Sequence, residues 1–124
     1  MHLLTLRAFS LLVVVDFYLQ RGGFETLYRK LRSYPVAQKT IAPGGVETLS
    51  SAVDAACIWY PKEVLCLQRS AATACLLRKF GIPAQMIIGV RRMPFKAHAW
   101  VEVNGKVVND KPYMPEMYAV LDRC

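Results

Sequence analysis

The hydrophobic pattern of this 124-residue chain changes period once, and that change limits the fold more than any other feature. Before Gly81, apolar side chains recur at helical spacing; after Pro83 they alternate or run continuously, as in strands. Residues 3–20 make a strongly apolar helical block, stopped by Gly22-Gly23. Residues 24–33 place Phe24, Leu27, Tyr28 and Leu31 on one stripe, the pattern of a helix with a single buried face. The two blocks are expected to form a helical hairpin. A loop rich in helix breakers runs from Tyr34-Pro35 to Pro43-Gly44-Gly45. Residues 46–59 then set Leu49, Val53, Ala56 and Cys57 on one face of a further helix, which ends before Pro61. The next helix spans 66–80, with Gly81 as its C-terminal stop. Extended segments follow at 84–90, 98–103 and 106–110. Helices grouped first, then a small antiparallel sheet of about three strands, define an α+β fold.

Length and composition fit one domain over residues 1–124, with the hairpin at about 3–33 and the core at about 46–124. Apolar residues make up 54% and charged residues 20%, which excludes a disordered chain. Sixteen basic residues against nine acidic give a net charge of +7. That charge suits an anionic partner, but no run exceeds two consecutive Lys or Arg, and no aromatic residues interleave with them to stack bases. A nucleic-acid partner is therefore not expected. The most apolar run, Phe9 to Val15, is bracketed by Arg7 and Asp16. A membrane span takes about 20 apolar residues, and no small-residue cleavage site precedes Arg21-Gly22-Gly23. A buried helix is the reading, and membrane contact is not expected.

Cys57, Cys66 and Cys75 lie nine residues apart, a spacing that matches no zinc motif, and only His2 and His98 can add imidazoles. Neither metal nor cofactor is expected. With no signal peptide, the four cysteines read as free thiols in a reducing cytoplasm.

One of those thiols stands apart. A thiolate rather than a thiol attacks a carbonyl, and the N–H groups and dipole of a helix N-terminus stabilise the negative charge. Cys66 opens the helix 66–80 and occupies that place. Cys75 is turned about 180° from it at 100° per residue and reads as core packing. Cys57 reads as a small core residue, and Cys124 lies at the last position without scaffold around it. His98 starts an alternating strand, with Trp100 on the same face to shield an imidazole from water. A lone strand histidine is more often a hydrogen-bonded structural side chain, yet His2 sits in a terminus prone to fray. Asp110 supplies a carboxylate near the end of the returning strand. A thiol at a helix start, an imidazole on a strand and a carboxylate on its neighbour are the parts of a cysteine hydrolase. The Cys66 N–H would be one oxyanion donor. Trp59 and Tyr60 are weighed as contributors to a second, although an aromatic pair at a helix end usually packs. Arg69, Arg91 and Arg92 read as solvated surface.

The turn at Asn104-Gly105 decides whether Asp110 reaches His98. A two-residue type I′ turn pairs Val103 with Lys106 and puts Asn109, not Asp110, on the His98 face. A three-residue loop with Gly105 in a left-handed bulge sets His98 opposite Asp110, with Cβ atoms about 5 Å apart. The bulge is the expected register; a tight turn would hand the place to Asn109.

Several segments together carry a family resemblance: Cys66-Leu-Gln-Arg-Ser70, Leu76-Leu-Arg-Lys-Phe-Gly-Ile-Pro-Ala84, Ile88-Gly-Val-Arg91, Pro94-Phe95, Ala97-His-Ala-Trp-Val-Glu-Val103 and Val108-Asn-Asp110. In order and spacing they resemble the transglutaminase-like leader peptidases of lasso-peptide biosynthesis. The resemblance implies a papain/transglutaminase-like core with Cys66 as nucleophile, His98 as base and Asp110 as orienting acid. It implies removal of the leader from a ribosomally made precursor peptide, with a separate leader-recognition protein acting in trans. An asparagine-synthetase-like cyclase would then close a macrolactam on the freed amine. The same residues would also suit a transglutaminase-like acyltransferase, or a non-catalytic interaction subunit that keeps the fold.

Overall fold

The first long helix, α1 (Leu3–Arg32), is broken at Gly23, whose φ of 71° and ψ of −166° are open to glycine and strained for other residues. The break turns the chain back on itself. Lys30 Nζ lies 5.6 Å from the centre of the Tyr18 ring, a pair that an unbroken helix would hold about 18 Å apart. Leu4, Ala8, Leu11, Leu12 and Val15 are buried on the first arm and Leu27 and Leu31 on the second. By length and composition α1 could also cross a membrane, a test that the core helix of a soluble protein passes equally. The computed structural model describes residues 3–38 and 44–124; His2 and part of the expected 34–45 loop lie outside them.

Two more helices, α2 (Gly45–Trp59) and α3 (Cys66–Lys79), pack with α1 into a layer. α3 is the central element, with Ser70 through Arg78 buried in succession. One face of a sheet lies against it, through Ala84, Met86, Ala99 and Val101. The sheet has the order β3-β2-β1-β4, built from β1 (Ala84–Arg91), β2 (Lys96–Val103), β3 (Lys106–Val107) and β4 (Ala119–Arg123). Its other face carries a small cluster of Ile87, Trp100, Met114 and Tyr118, completed by the one-turn helix α4 (Met114–Met117).

The α+β order matches the sequence expectation, with three differences. The returning strand ends at Val107 instead of reaching residue 110, and a fourth strand forms at the far edge. All five residues of β4 are exposed, so no alternation marks them in the sequence; pairing with β1 makes them a strand. Cys124 does have a scaffold: it is buried and exchanges both backbone hydrogen bonds with Met86 at 2.9 Å. The third difference is the turn. Asn104 (φ 53°) and Gly105 (φ 77°) are both left-handed, Val103 pairs with Lys106, and Glu102 pairs with Val107. This is the tight type I′ turn, whose twist suits the flanking strands, and not the expected bulge.

The Arg78 side chain, buried near the end of α3, joins these layers. Its guanidinium donates to the carbonyls of Ala84 at 2.9 Å and Cys124 at 2.8 Å, and to those of Leu31 and Tyr34. One cation thereby ties together backbone carbonyls from the end of α1, the start of β1 and the residue after β4.

Candidate active site

Leu65 precedes α3 in an extended conformation (φ −84°, ψ 170°) and has no side-chain acceptor with which to cap it. The Gln68 side chain reaches back to accept the Leu65 N–H at 3.0 Å, fixing the entry of the chain. No acidic residue lies in the first turn. Cys66 thus stands at the positive end of α3 with neither a carboxylate nor a capping side chain from Leu65 before it. Burial pushes Cys57 up, and pushes both Cys75 and Cys124 up to about 11.

His98 lies near the start of β2, in the same alternating row as Trp100 and Glu102. Its partner across the sheet is Gly89. A Cβ at that position would come within 2.7 Å of the Trp100 ring and 2.9 Å of Tyr118 Cβ. Glycine leaves the space in which both rings gather around the imidazole. The expected Trp100 is fully buried, with its ring centre 6.3 Å from that of His98. Tyr118 is closer, stacked at 5.4 Å and 23°, and nothing in the sequence flanking it signalled that role. The Trp100 indole N–H donates to the buried Glu102 carboxylate at 2.9 Å, and Arg123 donates to its other oxygen at 2.9 Å. The unanticipated strand β4 thus pins the aromatic wall.

Asp110 meets His98 despite the tight turn. Its Oδ2 lies 2.6 Å from His98 Nε2, while Oδ1 accepts the Lys111 N–H at 2.8 Å. The reason is that the ladder ends early. Val108 N–H still donates to Val101 O at 3.0 Å, but Val101 N–H is taken by the Asn109 side-chain oxygen at 2.8 Å. Asn109 is drawn inward and buried, and the chain leaves strand geometry as Asp110 swings to the imidazole. The expectation that a tight turn would give Asn109 the place beside His98 is therefore corrected: face alternation stops applying where the strand stops. Burial works to raise the Asp110 carboxyl. The His98 hydrogen bond, the Lys111 N–H, the imidazole charge and Arg69 outweigh it, and the group is held below its ordinary range.

Arg69, read from sequence as solvated, lies 4.0 Å from Asp110 and 3.4 Å from Asp54. Its position three residues after Cys66 was the available signal, since i and i+3 share a helix face. Trp59 and Tyr60 do not serve the site as donors: Trp59 is exposed, and the Tyr60 hydroxyl donates to Asp16 at 3.2 Å while its ring packs on Phe9.

Cys66 and His98 line one cleft of about 310 Å³, together with Phe24, Leu67, Ile88, Ala97 and Ala99. Phe24 reaches it from the second arm of α1, a contribution that its place in a surface-helix stripe did not indicate. A larger cavity, of about 700 Å³, lies at the β2–β3 turn and holds neither the thiol nor the imidazole. Because Asp110 occupies Nε2, Nδ1 is the imidazole nitrogen left to exchange a proton with a thiol. An uncapped helix start, a thiol, an oriented imidazole and an otherwise apolar cleft can together form and resolve a thioester. Among the described residues, no group of His, Cys, Asp and Glu is arranged to hold a metal ion.

Comparison with known proteins agrees with this architecture. The chain is 45% identical over 56 residues to the microcin J25-processing protein McjB of Escherichia coli. That match takes in 45% of this chain and 27% of the relative, so the stretch the chain matches spans little more than a quarter of the relative's length. No solved structure matches significantly. The family model described as the transglutaminase-like superfamily matches residues 11–123, from the first arm of α1 to the end of β4. The chain belongs to the transglutaminase-like superfamily.

Proposed function

We propose that this protein is a cysteine peptidase that removes the leader from a ribosomally made lasso precursor peptide, working with a separate leader-recognition protein. The observation that carries the proposal is the pairing of His98 Nε2 with Asp110 at 2.6 Å, on an imidazole that shares a cleft with Cys66 at an uncapped helix start. Similarity to a microcin-processing protein supports the choice of substrate class.

In this mechanism Asp110 holds the proton on Nε2, leaving Nδ1 free to take the Cys66 proton. The thiolate attacks the carbonyl carbon at the leader–core junction, and the oxyanion faces the Cys66 N–H at the positive end of α3. The tetrahedral intermediate collapses to a thioester as Nδ1 returns the proton to the departing core amine. Water, deprotonated by His98, then hydrolyses the thioester and frees the leader as a carboxylate. The products are a leader acid and a core peptide with a free amino group. That amine is the nucleophile that an asparagine-synthetase-like cyclase would consume.

The test is incubation of precursor peptide with the chain and the recognition protein, followed by mass spectrometry of both fragments. Wild type releases leader and core. Cys66→Ala loses at least about a thousandfold in rate, as expected when a covalent nucleophile is removed. Leader release at the wild-type rate by Cys66→Ala would overturn the proposal.

A further inference from the structure

Ser70 and Asn109 are polar, and both are buried, with Ser70 at 0% and Asn109 at 8% exposure. Their hydrogen bonds form one chain. Asn109 Nδ2 donates to Ser70 Oγ at 3.0 Å, Ser70 Oγ donates to Ala99 O at 3.1 Å, and Val101 N–H donates to Asn109 Oδ1 at 2.8 Å. The Val101 donor fixes which end of the amide is oxygen.

The places of these groups matter more than their number. Ser70 lies one turn beyond Cys66 on the same face of α3. Ala99 follows His98 on β2, and Asn109 precedes Asp110 where the ladder ends. Each arm of the network therefore reaches a backbone position adjacent to, or one turn from, a different member of the Cys66–His98–Asp110 set. The strand pairing that ordinarily locates a residue at position 110 is missing, because β3 ends at Val107. The Asn109 amide takes over that task, standing where a backbone carbonyl would otherwise accept the Val101 N–H.

We infer that Ser70 and Asn109 are positioning residues: they tie the nucleophile helix to the imidazole strand and set Asp110 against His98 Nε2, thereby selecting the working tautomer. This rests on the assignment of Cys66, His98 and Asp110 made above. Neither residue touches the reacting atoms in this role; both act through Asp110 and the β2 backbone.

The experiment uses the full chain labelled with ¹⁵N, without peptide, so its outcome is separate from that of the leader-release test. Long-range ¹H–¹⁵N spectra distinguish a protonated from an unprotonated ring nitrogen. Wild type is expected to show His98 in a single Nε2–H tautomer at neutral pH. Folded Ser70→Ala and Asn109→Ala are each expected to show a mixture of tautomers. With precursor and recognition protein, the same variants lose about tenfold to a hundredfold in kcat, the scale of a small misplacement, while KM stays within about twofold. Folded variants that keep the single wild-type tautomer would overturn the inference. Unfolding of both variants, seen by circular dichroism, would also overturn it by reducing the pair to a stability element.

Discussion

Replacing Asp110 with asparagine tests the proposed chemistry with the least disturbance of shape. In the wild type, Oδ1 accepts the Lys111 N–H at 2.8 Å and Oδ2 lies 2.6 Å from His98 Nε2. Asparagine can preserve the first contact only by turning its oxygen toward Lys111. Its NH₂ then points at Nε2, and two donors meet. The imidazole relieves this by moving its proton to Nδ1, so that Nε2 accepts from the new amide. Both hydrogen bonds survive and the fold loses little, but Nδ1 can no longer take the proton from Cys66. The expected loss is about 10³- to 10⁴-fold in kcat, or about 4–5.5 kcal/mol in barrier. KM is expected to change little. Single-turnover leader release, followed by mass spectrometry with recognition protein present, reads the rate, and thermal unfolding checks the fold. A folded Asp110→Asn variant with kcat within threefold of wild type would refute the tautomer argument.

The same carboxylate sets a direction for pH dependence. Its folded pKa is lowered, so its ionised form favours the folded state at pH values above the unfolded value of about 3.9. That contribution is lost as pH falls through the lowered folded value. Unfolding midpoints compared for wild type and Asp110→Asn from neutral pH down to about pH 3 are expected to converge toward the acid end. A gap that widens on acidification would contradict the sign.

Two further outcomes follow from the same geometry. Iodoacetamide at pH 8, with peptide mass spectrometry, is expected to modify Cys66 first and to leave Cys75 and Cys124 largely unmodified, because burial holds those two thiols at about 11; preferential labelling of Cys75 would contradict the assignment. Arg78→Ala strips a charged donor from the carbonyls of Ala84 and Cys124 and from α1, and is expected to destabilise the chain by about 3 kcal/mol or more in urea unfolding; a cost below about 1 kcal/mol would show that water replaces the guanidinium.

The parts of the fold legible in the sequence were those set by long periodic stretches. The stripe Leu49, Val53, Ala56 marks α2, and the switch to extended residues after Gly81 and Pro83 marks the sheet. Cys66 was separated from Cys75 by helix geometry alone, and the Asn104-Gly105 pair announced a hairpin. What escaped depended on contacts between distant segments. β4 has no alternating pattern because all its residues are exposed, and pairing with Met86 to Val90 organises it from outside. Tyr118 and Phe24 reach the site from opposite ends of the chain, and their neighbours in sequence carry no trace of the imidazole or the cleft.

The hairpin is the sharper case, because there strand alternation ends before the residues that matter. Side chains alternate between faces only while the strand remains paired. A tight turn at Asn104-Gly105 excludes Asp110 from the His98 face only if pairing continues to residue 110, and it stops at Val107. The side chain of Asn109 ends it by competing for the Val101 N–H, a competition that asparagine is suited to win since its amide oxygen mimics a backbone carbonyl. Read from the sequence, Asn109 and Asp110 are rivals for one position beside the imidazole. In the folded chain they act in sequence: the inward turn of Asn109 onto Ser70 releases the backbone from strand geometry, and that release carries Asp110 to His98. A variant that restored regular pairing at 108–110 would therefore move the carboxylate away from the imidazole while leaving every residue of the Cys66–His98–Asp110 set unchanged.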